Sequence, residues 1–215
     1  MERSRHDWEA SQKADRIAEA RQRARDAANV PSRYVGCSFS NFTPETAAQA
    51  RVLKICKRYV ETFAEQMRIG RCMAMIGKMG TGKTHLACAT VNALCDSGIS
   101  AQYSTVDAMT TRWRGTYRNE SAEQPSDVLA AFMRPRLLVL DEVGIQHASE
   151  HELLVINRIC SQRHDAGNRP TFFIGNITEP QLADFLGDRI ADRLSENQGV
   201  ILTFDWSSYR TRKTA

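Results

Sequence analysis

At 215 residues, 42% hydrophobic and 25% charged, the sequence is sized for one globular α/β domain with a short appendage, too short for two ordinary domains. A net charge of +4 permits contact with nucleic acid but is too small to demand it, and six cysteines (Cys37, Cys56, Cys72, Cys88, Cys95, Cys160) without a C-x-x-C pair or zinc spacing read as reduced, buried thiols. No apolar run approaches the ~18 residues of a membrane helix and the N-terminus is charged, so a cytoplasmic protein with no membrane partner is expected.

The first thirty residues carry seven basic and six acidic side chains and few large apolar ones, Trp8, Ile17 and Val30. Alanines and alternating charge predict a helix that cannot build a core alone. Residues 1–33 therefore read as a charged helical N-terminal arm, either solvated or ordering on a partner, ahead of a main domain at 34–215. Tyr34 to Phe42 reads as a loop whose Phe39 and Phe42 either line a base pocket or anchor the core. Thr43 is the expected N-cap of the next helix, with Pro44 at its first position. Leu53, Cys56, Val60, Phe63 and Met67 recur at helical spacing until Gly70 stops the helix.

Residues 71–76 read as a short buried strand running into Gly77-Lys78-Met79-Gly80-Thr81-Gly82-Lys83-Thr84. This run fills every fixed position of G-x-x-x-x-G-K-[ST], the phosphate-binding P-loop, and a helix from Lys83 to Ser97, closed by Gly98, follows it. The glycines allow a tight turn in which successive N–H groups converge at a helix N-terminus, where an anion binds. Lys83 is then expected to reach the β- and γ-phosphates of ATP, and the Thr84 hydroxyl to hold Mg²⁺.

Residues 101–106 predict a second strand, with Asp107 capping a helix that carries Arg112, Trp113, Arg114, Tyr117 and Arg118. Arginines interleaved with aromatics suit single-stranded nucleic acid, but the same spacing also fits a helix with core-facing aromatics and solvated arginines. After a polar loop and a short helix at 127–132, Leu137-Leu138-Val139-Leu140 marks a strand buried on both faces and ending in Asp141-Glu142. An acidic pair at a strand's carboxyl end, some 60 residues after a P-loop, is expected to hold Mg²⁺ through Asp141 and to polarise the attacking water through Glu142. A helix is expected over 149–165, and a buried strand over 170–176. Asn176 at its tip either orients the lytic water or caps the next loop. Short helices at 180–186 and 188–195 put Arg189 and Arg193 one turn apart. A closing strand at 200–204 leads into a basic tail at 205–215. The pattern predicts a doubly wound parallel sheet of about five strands flanked by helices.

Four motifs in order, Gly77 to His85, Asp141 to Gln146, Gly187 to Leu194, and Phe204-Asp205-Trp206-Ser207-Ser208-Tyr209-Arg210, resemble the DnaC helicase loaders of the AAA+ ATPases, phage and prophage DnaC-like replication proteins in particular. The resemblance runs from about Gly36 to the end. It implies a P-loop NTPase of the AAA+ type over 34–215 with no C-terminal lid domain, and a nucleotide-contacting run extended to His85. It makes Asn176 the sensor and Arg193 a finger reaching the γ-phosphate held by a neighbouring subunit, with Arg189 its weaker companion. It places Arg114, Tyr117, Ser149 and His151 at DNA-contact positions, although a Tyr is expected where His151 stands. The implied function is ATP-dependent loading of a DnaB-type replicative helicase onto single-stranded DNA by a self-assembling, Mg²⁺-dependent ATPase. The alternative is an IstB-type transposition helper acting on duplex DNA, which shares the first three motifs. The segment before the ATPase core is shorter than a DnaC helicase-binding domain.

Overall fold

The computed structural model describes residues 2–118, 121–144, 150–187, 190–192, 194 and 198–209. Five short strands form one parallel sheet in the order β2-β3-β4-β1-β5: β1 (Met73–Gly77), β2 (Ala101–Thr105), β3 (Leu137–Asp141), β4 (Thr171–Gly175) and β5 (Val200–Phe204). In β1, β3 and β4 successive side chains leave the sheet on opposite faces and both faces are covered, which is why these strands read as continuous apolar runs. Met73, Met75, Leu137, Val139, Phe172 and Ile174 pack into one core layer, while Ala74, Ile76, Leu138, Leu140 and Phe173 pack into the other.

The first layer is roofed by α2 (Ala47–Glu61), α4 (Lys83–Asp96) and the last turn of α1 (Glu2–Asp26), with the short α3 (Phe63–Arg68) continuing α2 after a break at Thr62. The second holds α5 (Val106–Gly115), α6 (Pro125–Met133), α7 (Glu150–Asp165) and α8 (Glu179–Leu186). The parallel sheet with helices on both faces is the architecture expected from the alternation of elements.

Two helix starts differ from expectation. The N-cap of α2 is Thr46, not Thr43: the Thr46 hydroxyl accepts the Gln49 N–H and the Gln49 side chain accepts the Thr46 N–H, a reciprocal pair that Thr43 and Pro44 have no partner to form. In α5 the cap is Thr105, whose hydroxyl accepts the Ala108 N–H at 3.0 Å, and Asp107 falls inside the first turn.

The arm is helical, and every residue from Gln12 to Arg23 is exposed. Its end is docked. Ala24 and Ala28 are buried, Arg25 pairs with Asp96, and the Ala28 carbonyl accepts the Tyr103 N–H at 2.7 Å. The turn after α1 thus satisfies a donor on the edge strand β2.

Arg163 joins the opposite, amino ends of the strands. Fully buried, it donates to the carbonyls of Phe132, Pro135, Arg136 and Pro170 and to the Thr171 hydroxyl. One guanidinium therefore ties α7 to the end of α6 and to the starts of β3 and β4.

Candidate functional site

β1 delivers the chain into a loop whose Gly77, Gly80 and Gly82 have φ of 121°, 73° and 99°. A Cβ on Gly77 would lie 2.4 Å from the Phe204 carbonyl oxygen, and one on Gly82 would lie 2.7 Å from the Phe42 ring. Only bare backbone fits at both positions. Lys83, buried at the start of α4, donates from Nζ to the carbonyls of Gly77 (2.9 Å) and Lys78 (2.5 Å). Burial pulls its ammonium down from 10.5 to about 8, against the opposing attraction of Asp141.

The Asp141 carboxylate is buried at the tip of β3 and fully engaged. Its Oδ2 accepts the Thr84 and Tyr103 hydroxyls, each at 2.8 Å, and its Oδ1 accepts the Glu142 N–H at 2.7 Å. Burial and the Asp141 charge push the Tyr103 phenol far above its ordinary range, so it remains a donor. Glu142 is exposed and has a left-handed φ of 64°, an unfavourable setting for a residue other than glycine that turns its side chain out of strand geometry. Thr84 and Asp141 thus form a hydroxyl–carboxylate pair, the hard oxygen donors that Mg²⁺ takes alongside water and phosphate. Among the described residues there is no cluster of three metal-binding side chains.

These groups line an open cleft of about 1200 Å³ that also receives Met79, Gly80, Thr81, Gly82, His85 and Asn176. Gly77 and Lys78 are not among its lining residues and meet it only through their carbonyls, which hold the Lys83 ammonium. The far wall is the loop 31–45, pinned to α4 by two side chains. Asn92 donates to the carbonyls of Tyr34, Val35 and Cys37. His85 bonds the Ser38 carbonyl through Nε2 (3.2 Å) and the Cys37 thiol through Nδ1 (3.4 Å). Since a carbonyl only accepts, Nε2 carries the proton and Nδ1 accepts the thiol, which burial keeps protonated. Phe42 is buried and lines the cleft, whereas Phe39 packs against the core.

Lys83, Thr84, Asp141, Glu142 and Asn176 therefore line one cleft. Arg189 and Arg193 lie outside the described residues, as does Ser149. His151 lies in the first turn of α7. The arginine–aromatic stretch is divided by its surroundings. Trp113 is core, with Arg158 over its ring, and donates to the Tyr117 hydroxyl at 2.8 Å. Arg112 is held by Glu123, and Arg114 faces Glu152 of α7 at 3.5 Å. Tyr117 is 55% exposed.

Sequence reasoning missed three members of the site. Tyr103 was legible in principle: β2 and β3 pair in register with Thr105 opposite Asp141, so alternation puts Tyr103 diagonally across from the carboxylate on the same face. Trp206 and Tyr209, read as part of a basic tail, instead fold onto the P-loop, Trp206 donating to the Thr81 carbonyl and the Tyr209 N–H to the Gly80 carbonyl. The run carries one of the four motifs of the family resemblance, but that resemblance attaches no role to either residue.

The profile of the IstB-like ATP binding proteins matches residues 10–215. The chain is 34% identical over 189 residues to the replicative helicase loader DnaC of Buchnera aphidicola subsp. Acyrthosiphon pisum, covering 88% of this chain and 75% of that one. It is 33% identical over 195 residues to the replicative helicase loader DnaC of Escherichia coli K12, covering 90% and 77%. The crystal structure of a DnaC helicase loader superposes with a TM-score of 0.71 at 22% identity, over 81% of this chain and 100% of that one, so the two share a fold.

Proposed function

The chain belongs to the IstB-like ATP binding protein family, with relatives named as DnaC helicase loaders, and from that membership we propose that it is an ATPase that loads a DnaB-type replicative helicase onto single-stranded DNA. The observation that carries the chemistry is the contact between Thr84 and Asp141 at the mouth of the P-loop, with Glu142 and Asn176 lining the same cleft.

Each residue has a distinct task. The P-loop N–H groups and Lys83 bind the phosphates, Lys83 exchanging its carbonyl partners for phosphate oxygens. Thr84 and Asp141 hold Mg²⁺, which when bound neutralises charge on the phosphate oxygens. Glu142 takes the proton of the attacking water, and Asn176 orients that water. Arg193 acts on the γ-phosphate of a neighbouring subunit, so that hydrolysis follows assembly. The surface that carries Arg114 and Tyr117 contacts single-stranded DNA, with Ser149 and His151 as further contact residues. Arg114 leaves Glu152 for a phosphate, and Tyr117 offers an exposed ring on which a base stacks. The exposed stretch of α1 is the helicase-docking arm.

The test is co-purification with the host's replicative helicase in ATP, in ADP, and with residues 1–19 removed. The deletion stops at 19 because Ala24 and Ala28 belong to the core. The expected result is an ATP-sensitive complex that the deletion abolishes. Failure to bind helicase, together with ATP-dependent assembly on duplex DNA, would refute the loader reading in favour of a transposition helper.

A further inference from the structure

The segment 204–209, which the ATPase reading leaves without a task, makes five hydrogen bonds to the walls of the cleft. The Phe204 carbonyl accepts the Lys78 N–H (2.8 Å), and the Asp205 carbonyl accepts Lys78 Nζ (2.7 Å). The Trp206 indole Nε1 donates to the Thr81 carbonyl (3.0 Å) and the Tyr209 N–H to the Gly80 carbonyl (2.9 Å). The Tyr209 hydroxyl reaches the opposite wall and donates to the Thr43 carbonyl (2.8 Å), its ring standing edge-on to Phe42 at 5.8 Å.

What these bonds accomplish follows from peptide geometry. In a trans peptide the C=O of one residue and the N–H of the next point in opposite directions. Holding the Gly80 carbonyl from outside the loop therefore aims the Thr81 N–H inward, and holding the Thr81 carbonyl aims the Gly82 N–H inward. Those N–H groups belong to the anion nest. Glycine at 80 and 82 leaves these peptides easy to rotate, with the Thr81 hydroxyl bond to the Lys78 carbonyl as a restraint within the loop, and the two external bonds fix the nest further before the anion arrives. The indole is fixed in turn against Phe204, their rings tilted by 41° with centroids 4.8 Å apart, and Phe204 is itself fully buried.

We infer that residues 204–209 are a clasp that preorganises the nucleotide site: Trp206 and the Tyr209 backbone orient the P-loop peptides toward the phosphates, and the Tyr209 hydroxyl ties the base-side loop to the P-loop. Trp206 and Tyr209 are positioning residues, acting through the loop rather than on substrate. The inference rests on the reading of this cleft as a nucleotide site.

The two side chains make separable predictions. Trp206→Phe keeps the ring and removes the N–H. It is expected to raise the Kd for MgATP about five- to tenfold and to raise the Kd for inorganic tripolyphosphate by the same factor, since the defect lies in the phosphate nest. Tyr209→Phe keeps the backbone bond to Gly80 and loses only the bond to Thr43. It is expected to weaken MgATP about threefold to fivefold while leaving tripolyphosphate unchanged. Both are titrated by calorimetry on the full chain, with far-UV circular dichroism reporting the fold. General loosening of the structure would weaken both ligands in both variants, and would overturn the assignment. Unchanged MgATP affinity in Trp206→Phe would overturn the clasp while leaving the nucleotide site intact. Wild-type protein that bound neither ligand would instead refute the nucleotide reading itself.

Discussion

Replacing Arg163 with Met, which has a side chain of similar reach and no donors, tests whether the amino edge of the sheet is held by one residue. Two effects oppose each other. Removing the guanidinium relieves its burial, which pulls its pKa down from 12.5 to about 10 and so stands for about 3 kcal/mol held against the charged form. Removal also strips a donor from the carbonyls of Phe132, Pro135 and Arg136 and from the Thr171 hydroxyl, while Pro170 keeps the Leu138 N–H. Each acceptor left unsatisfied costs about 1–3 kcal/mol, so four of them cost about 4–12 kcal/mol and, less the relief, leave a net loss of about 1–9 kcal/mol, centred on about 5 kcal/mol. That is a large share of the 5–15 kcal/mol typical of a domain. Arg163→Lys, with three donors instead of a five-donor fork, should fall between the two. Urea unfolding followed by circular dichroism, compared at constant m-value, gives the number. A loss within about 1 kcal/mol for Arg163→Met would refute the reasoning, because it would mean that water or backbone adjustment satisfies the carbonyls as well as arginine does.

Three further outcomes are expected. Because Lys83 titrates near 8 while its ammonium is needed for phosphate, MgATP affinity should fall above pH 8, approaching tenfold per pH unit while only the bound form stays protonated; calorimetry at pH 8.5 in two buffers of different ionisation enthalpy should then register proton uptake, and none should appear if the group is not Lys83. Tyr103→Phe removes a donor from a buried carboxylate and should lower stability by about 1.5–3 kcal/mol in urea unfolding while Thr84 still holds Asp141. Arg114→Ala with Tyr117→Ala should weaken oligo-dT binding about tenfold and reduce the salt dependence by about one phosphate contact, with ATP affinity unchanged; unchanged DNA affinity in a fluorescence-anisotropy titration would return α5 to a purely structural role.

What the sequence disclosed and what it hid divide along range. The P-loop, the acidic strand end and the five strands are local signals: eight consecutive residues define the loop, and Leu137 to Asp141 carry their burial and charge in one run. The caps were misplaced where two residues competed, Thr43 with Thr46 and Asp107 with Thr105. The winner in α2 depends on Gln49 returning the bond, and in α5 on where the strand releases the chain. Arg163 was invisible because nothing in Arg163-His164-Asp165 distinguishes a solvated helix end from a guanidinium threaded among four carbonyls. Trp206 and Tyr209 were read as tail because their partners, Thr81 and Gly80, lie more than a hundred residues away, and no periodicity links them.

The placement of the candidate DNA helix bears on how the two halves of the proposed cycle communicate. α5 begins directly at the end of β2, capped by Thr105, and Thr105 is the register partner of Asp141. α7 follows the strand that Asp141 ends, and it meets α5 through Arg114 and Glu152. Tyr103, two residues before α5's cap, is bonded to the Asp141 oxygen that also accepts the Thr84 hydroxyl. Movement of the Asp141 carboxylate toward a metal would therefore act on one hydrogen bond to β2, and β2 carries the root of α5. Coupling by this route requires no distant relay, only that the Tyr103–Asp141 bond differ between nucleotide states. It also makes a demand that separates it from simple structural support: in Tyr103→Phe, stimulation of ATP hydrolysis by single-stranded DNA should fall by more than the unstimulated rate does. Equal losses in the two rates would show that Tyr103 merely steadies Asp141 and that the DNA signal, if it arrives, comes through α7.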